Sequence, residues 1–152
     1  MLKNINPLLS PELLKVLCDM GHGDEIVIAD GNFPAQSIGS HGVVIRADGH
    51  GVPEILDAIL SVIPLDRYVE KPVALMEVVP GDPVEPVIWN SYKAILGKHG
   101  ENPEAIEMTE RFAFYERAKA AYAIVATGEM AIYANILLKK GVIQEVRTSP
   151  TS

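Results

Sequence analysis

Apolar and polar positions along the chain alternate between two periods. Leu13, Leu14, Leu17 and Met20 recur at helical spacing behind Ser10-Pro11-Glu12. That triplet opens a helix well: a serine can cap free N–H groups, proline suits the first helical position, and glutamate faces the positive end of the dipole. Gly21 is a natural stop. Glu25 to Ala29 then reads as a buried strand ending in the carboxylate of Asp30, with Gly31-Asn32-Phe33-Pro34 as a turn. Val43 to Arg46 is a second short strand, and Ala47 to Gly51 a loop. A helix from Pro53 carries Ile55, Leu56, Ile59, Leu60 and Ile63 on one face until Pro64 ends it.

The same alternation continues. Val73 to Val79 predicts a third strand, Pro80 to Pro83 a loop, and Pro86 to Lys98 a helix with Ile88, Tyr92, Ile95 and Leu96 inward. A short strand over Ala105 to Met108 follows, then a helix capped by Thr109 and running to about Ala121. Strands over Tyr122 to Ala126 and Ile132 to Leu138 flank the turn Thr127-Gly128-Glu129. Strands alternating with helices predict an α/β domain whose helices cover a mixed or mainly parallel sheet. The close spacing of the last two strands predicts at least one antiparallel pair. One domain, residues 1–143, is expected, followed by a polar tail over 144–152.

Composition narrows the function classes. The 152 residues can bury a real core without staples, and 48% hydrophobic content argues against disorder. A formal charge of −7 repels phosphate backbones, so nucleic acid is a poor partner. No apolar run reaches the roughly 18 residues of a membrane span, and the first residues lack the pattern of a signal peptide. The single cysteine, Cys18, cannot form an internal disulfide and is expected to be small apolar filler in the first helix. These points predict a cytoplasmic protein.

Candidate chemistry concentrates in four places. His22 sits between Gly21 and Gly23 and is the side chain best suited to moving protons near neutrality; the alternative is a surface imidazole in a helix-ending turn. Asp30 lies at the carboxyl end of a strand, where α/β sheets gather ligands, or it satisfies its own backbone in an Asx turn. Arg111 to Arg117 is dense in aromatic and guanidinium groups; Glu107 and Glu110 could pair with Arg111 across a helix surface, and the aromatics could serve the core. Tyr133 and Asn135, two apart, would share one face of a strand and offer donors and acceptors to a polyhydroxylated ligand, or face water on an edge. No phosphate loop or dinucleotide fingerprint occurs, and neither His22 with Asp24 nor His41 with His50 has metal-ligand spacing, so no metal is expected.

Several blocks, in order, resemble one known family. They are Ser10 to Leu17, Met20 to Ile26, Val44 to Gly49, Arg111 to Ala118, and Tyr133 to Val142. Together they resemble the L-fucose mutarotase and D-ribose pyranase family, and Arg111-Phe112-Ala113-Phe114-Tyr115-Glu116-Arg117 resembles its fucose branch. The resemblance implies a three-layer α/β/α fold and a homo-oligomeric ring such as a decamer, with sites near subunit contacts. It implies a monosaccharide substrate, L-fucose or similar, and no cofactor. It places the proton-transferring histidine at His22 and the sugar-binding positions at Asp30, Arg111, Tyr133, Ala134 and Asn135. Tyr133 would add a second proton relay or a hydroxyl partner, and Phe114 or Tyr115 would line the pocket. Two features depart from the family pattern: Ser40-His41-Gly42 lengthens the stretch before Val43, and residues 144–152 extend past the usual end. A non-enzymatic sugar-binding or regulatory protein is the competing class, and a purely structural ring subunit is a third.

Overall fold

A computed structural model describes residues 1–144, so the expected tail, apart from Gln144, lies outside the described residues. Six strands form one sheet: β1 (Glu25–Ala29), β2 (Val43–Ala47), β3 (Val73–Met76), β4 (Ile106–Thr109), β5 (Ala123–Thr127) and β6 (Ile136–Lys139). Their order is β2-β5-β1-β6-β3-β4. The β2–β5, β5–β1 and β3–β4 pairs are parallel, whereas β6 runs antiparallel to both β1 and β3. An antiparallel element was expected, but the last two strands are not each other's partners: β1 lies between β5 and β6. The segment joining β5 to β6 is a loop that crosses over an end of β1, which positions the site.

Helices cover both faces, giving the three-layer α/β/α arrangement. On one side α1 (Pro11–Asp19), α3 (Val52–Leu60) and α4 (Ile88–Lys98) bury Leu13, Leu17, Ile55, Ile59, Tyr92 and Leu96 against Ile26, Ile28, Leu75, Val125, Ile136 and Leu138. On the other, the short α2 (Ala35–Ile38) and α5 (Arg111–Ala120) bring Ala35, Phe114 and Ala118 onto Val27, Ala74, Ile124 and Leu137. Central strands buried on both faces explain their continuous apolar runs. Full burial of a side chain such as Leu137 contributes about 1.5–3 kcal/mol.

Local chemistry moved several boundaries. In α1, Ser10 Oγ accepts the Leu13 N–H at 3.1 Å with Pro11 in the first turn, as expected. The helix α5 is capped by Glu110, whose carboxylate accepts the Phe112 and Ala113 N–H groups, and not by Thr109. Thr109 ends β4 with its hydroxyl buried and unpartnered. Helix α2 was not expected, because four residues carry too little periodicity to register. Strand β6 begins only at Ile136, so Tyr133 and Asn135 precede it and do not share a strand face. Cys18 is exposed, a correction to its expected burial: the inward face of α1 is taken by Leu13, Val16 and Leu17.

Candidate active site

Register brings one group of side chains together. The carboxyl ends of β1, β3 and β4 lie beside the amino end of β6, since Ile28 and Leu75 both face Ile136 and Met76 faces Thr109. The residues just beyond these ends line a cleft of about 350 Å³: Asp30 after β1, Val79 and Asp82 after β3, Arg111 after β4, and Tyr133 and Asn135 before β6. This is where open α/β sheets gather ligands. Phe33 and Tyr115 line the same cleft and meet edge to face at 5.5 Å between ring centroids.

The loop before β6 is tied down at almost every residue. Thr127 Oγ1 donates to the Ala29 carbonyl at 2.7 Å and accepts the Glu129 N–H at 3.2 Å. A Cβ on Gly128 would lie 1.9 Å from the Asp48 carbonyl oxygen, so only glycine fits there. Glu129 accepts the N–H groups of Val52, Met130 and Ala131. Trp89 Nε1 donates to the Tyr133 carbonyl at 2.8 Å, and the buried Tyr92 hydroxyl to the Ala134 carbonyl at 2.6 Å. Tyr133 itself has φ of 57°, a left-handed conformation costing about 1–2 kcal/mol for a residue with a Cβ. The surrounding hydrogen bonds hold it there, and such conformations cluster at functional sites.

Asp30 and Asn135 form the floor. The Asp30 N–H donates to Asn135 Oδ1 at 2.7 Å, and Asp30 Oδ1 accepts the Asn32 N–H at 3.0 Å. The Asx turn and the pocket position are therefore both real. Burial pushes the Asp30 carboxyl above its ordinary value, opposed by the Asn32 and Phe33 N–H groups and reinforced by the charge of Glu129. Arg111 covers one wall. Its guanidinium carbon lies 5.4 Å from the Tyr115 ring centroid, and its Nε donates to the Tyr115 hydroxyl at 3.2 Å. The acidic neighbours expected to pair with Arg111 are used elsewhere: Glu110 caps α5 and Glu107 pairs with Arg117. Phe114 is wholly buried in the core, so of the two aromatics expected at the pocket only Tyr115 reaches it. Ala134 is buried between Tyr133 and Asn135.

His22 lies at the opposite end of β1. From Asp24 to Asp30 the chain is extended, and six steps of about 3.3 Å put the two ends roughly 20 Å apart. The His22 turn is held as firmly as the cleft. Gly23 has φ of 87° and donates to the Lys140 carbonyl, while Lys140 Nζ caps the Leu17 and Met20 carbonyls at the end of α1. His22 Nε2 lies 3.0 Å from Asp66 Oδ1, and its ring centroid 5.3 Å from that of Tyr68. The imidazole side chain is 45% exposed and the Asp66 side chain only 5%. The Tyr68 N–H, and after it the His22 ring, hold the Asp66 carboxyl below the usual carboxylate range. A carboxylate fixed behind one ring nitrogen orients the other outward as a proton donor or acceptor.

The sequence thus placed Asp30, Arg111, Tyr133 and Asn135, which the fold assembles, and His22, which one chain leaves apart. It missed Asp66, Asp82, Trp89 and Glu129. Asp82 beside Gly81 in a proline-rich loop, and Glu129 in a turn, carry only the ordinary signature of loops. Asp66 follows Pro64 in a stretch without a motif. Among the described residues, no three His, Cys, Asp or Glu side chains converge as a metal site requires.

Residues 3–143 match the RbsD / FucU transport protein family. The chain belongs to that family. An L-fucose mutarotase of Actinobacillus pleuropneumoniae is 54% identical, over 93% of this chain and 97% of its own. The crystal structure of FucU from Bifidobacterium longum is 58% identical with a TM-score of 0.91, over 93% of this chain and all of its own. The fucose mutarotase of Streptococcus pneumoniae, crystallised in complex with L-fucose, is 51% identical with a TM-score of 0.89, over 94% of this chain and all of its own.

Proposed function

We propose that this protein is a sugar mutarotase that interconverts the α and β anomers of L-fucose by acid/base ring opening, carried by one domain over residues 1–143. The observation that carries this reading is the cleft. A carboxylate, a guanidinium, a phenol and an amide converge beside an aromatic wall, a set that can hold hydroxyls and an apolar sugar face. The similarity to proteins named for L-fucose mutarotation points the same way.

Ring opening needs a base at the anomeric hydroxyl and an acid at the ring oxygen. The aldehyde forms, its carbonyl turns, and the ring closes on the other face. Nothing is oxidised and nothing leaves. Positioned proton transfer typically accelerates such a step about 10²–10⁴-fold. Asp30, Arg111 and Asn135 orient the sugar, the backbone at Ala134 completes the floor, and Tyr133 contacts a hydroxyl. His22, backed by Asp66, supplies the acid/base group.

Because His22 and the cleft lie at opposite ends of β1, we assign the complete site to two copies of the chain in a homo-oligomeric ring, the histidine of one meeting the cleft of the next. The surface beside His22 supports a subunit contact there: Tyr68 is 75% and Ile143 75% exposed, with Val69 and Val142 also open. Among the described residues no helix is long and apolar enough to cross a membrane. The acidic charge and lone cysteine favour a cytoplasmic setting.

Saturation-transfer NMR on L-fucose, D-ribose and D-galactose tests the reaction. Faster α/β exchange with L-fucose is expected. Binding without faster exchange would favour a non-enzymatic sugar-binding protein.

A further inference from the structure

The phenol of Tyr133 has its hydrogen bonds already allotted. Its O–H donates to Asp82 Oδ2 at 2.7 Å, and its oxygen accepts the Val79 N–H at 3.2 Å. Asp82 is fixed in turn, because its Oδ1 accepts the Val84 N–H at 3.1 Å. Pro80, Gly81 and Pro83 shape the loop, with Gly81 at φ of 90°. With its proton directed at Asp82 and one acceptor position filled, the phenol can make one further bond only by receiving it. A tyrosine that donated to the ligand would need Asp82 absent or protonated.

We propose that Asp82 is the positioning and proton-accepting partner of Tyr133: it turns the phenol into an acceptor for the sugar's anomeric hydroxyl and takes the phenol proton as the ring opens. This rests on the mutarotase reading above. The anomeric proton moves to the Tyr133 oxygen while the phenol proton moves to Asp82. The C1–O5 bond breaks with its electron pair remaining on the ring oxygen, which receives a proton from the His22 imidazolium. The C1 oxygen becomes the aldehyde carbonyl. Closure on the other face reverses every transfer, so no proton or electron is gained or lost. The Asp82 carboxylate also raises the Tyr133 pKa, chiefly through their hydrogen bond. A free phenolate is therefore disfavoured, and the two transfers through Tyr133 are coupled. The cleft then has a phenol–carboxylate pair where the other end of the strand has an imidazole–carboxylate pair.

Asp82→Asn tests the proposal. Asparagine keeps the size of the side chain but only one acceptor oxygen, so it can hold the Tyr133 O–H or the Val84 N–H and not both, and it cannot take up the proton. Wild type, D82N, D82A, Y133F and the D82N/Y133F double variant are compared by saturation transfer over a range of L-fucose concentrations, with thermal melts to check the fold. The expected result is a fall in kcat of about 10²-fold in D82N with KM little changed, and a double variant no slower than Y133F. Exchange by folded D82N at the wild-type kcat would overturn the proposal, as would a loss confined to KM in D82A. Independent multiplication of the D82N and Y133F losses would overturn it too. If wild type itself failed to speed exchange, the mutarotase reading would fall and this inference with it; a failure of D82N alone leaves that reading intact.

Discussion

Asp30 is a group whose presence costs the folded chain stability, and Asp30→Asn measures that cost. Asp30 is 8% exposed as a residue and its carboxyl pKa is raised in the folded state, with burial the largest cause. The sign follows from linkage. Below the unfolded value, 3.8, the acid is neutral in both states and the penalty is absent. Above the raised folded value the unfolded chain ionises freely while the folded one must bury a charge, so the penalty is fully present. Asparagine retains an oxygen for the Asn32 N–H and removes the charge. Relieving such a functional-site penalty typically returns about 0.5–2 kcal/mol, and each kcal/mol moves Tm by roughly 2–4 °C at this chain length. Thermal melts of wild type and D30N from about pH 4 to about pH 8 should therefore diverge as pH rises, D30N melting higher at neutrality. Sugar affinity should fall at the same time. A D30N protein that melts lower at neutral pH, or a gap as wide at the acid end as at the alkaline end, would show that burying this carboxylate is not a net cost.

Other expectations follow from named contacts. Tyr92→Phe strands the buried Ala134 carbonyl and should cost about 1–3 kcal/mol in denaturant unfolding. Burial raises the Tyr92 pKa, so the loss should not vary with pH across the neutral range. His22→Ala should stay folded, with a modestly lower melting temperature from the lost Asp66 contact, while losing about 10²–10⁴-fold in anomer exchange; a variant exchanging as fast as wild type would remove His22 from the mechanism.

The elements with strong periodicity were legible. Ser10-Pro11 capping α1, the apolar run of β1, and the i, i+3, i+4 pattern of α3 all report local preferences that tertiary packing reinforces. Asp30 was legible because it ends an apolar strand. Less so was the loop over residues 128–135. Its apolar Ile132 and Ala134 imitate a strand, but the hydrogen bonds that fix Tyr133 and Ala134 involve Trp89, Tyr92 and Asp82, all more than forty residues away in sequence. The same holds for Asp66, brought to His22 by the bridge of Leu65 to Lys140. No local pattern encodes such pairings. Strand order was hidden for a related reason: the insertion of β6 between β1 and β3 depends on which strands meet after collapse, and the short spacing from β5 to β6 suggested the wrong partner. The roughly 20 Å between His22 and the cleft could be known only once both ends of β1 were placed.

With His22 and the cleft that far apart, the proposed mechanism needs two copies to share each site, and mixed oligomers decide whether they do. His22→Ala and Arg111→Ala proteins, each deficient in anomer exchange when pure, are dissociated, combined and reassembled, and L-fucose exchange is followed by saturation transfer. If one copy's imidazole serves its neighbour's cleft, some reassembled sites regain both intact halves and activity returns. Mixtures that stay as slow as the parent variants, with reassembly verified by size and composition, would contradict it.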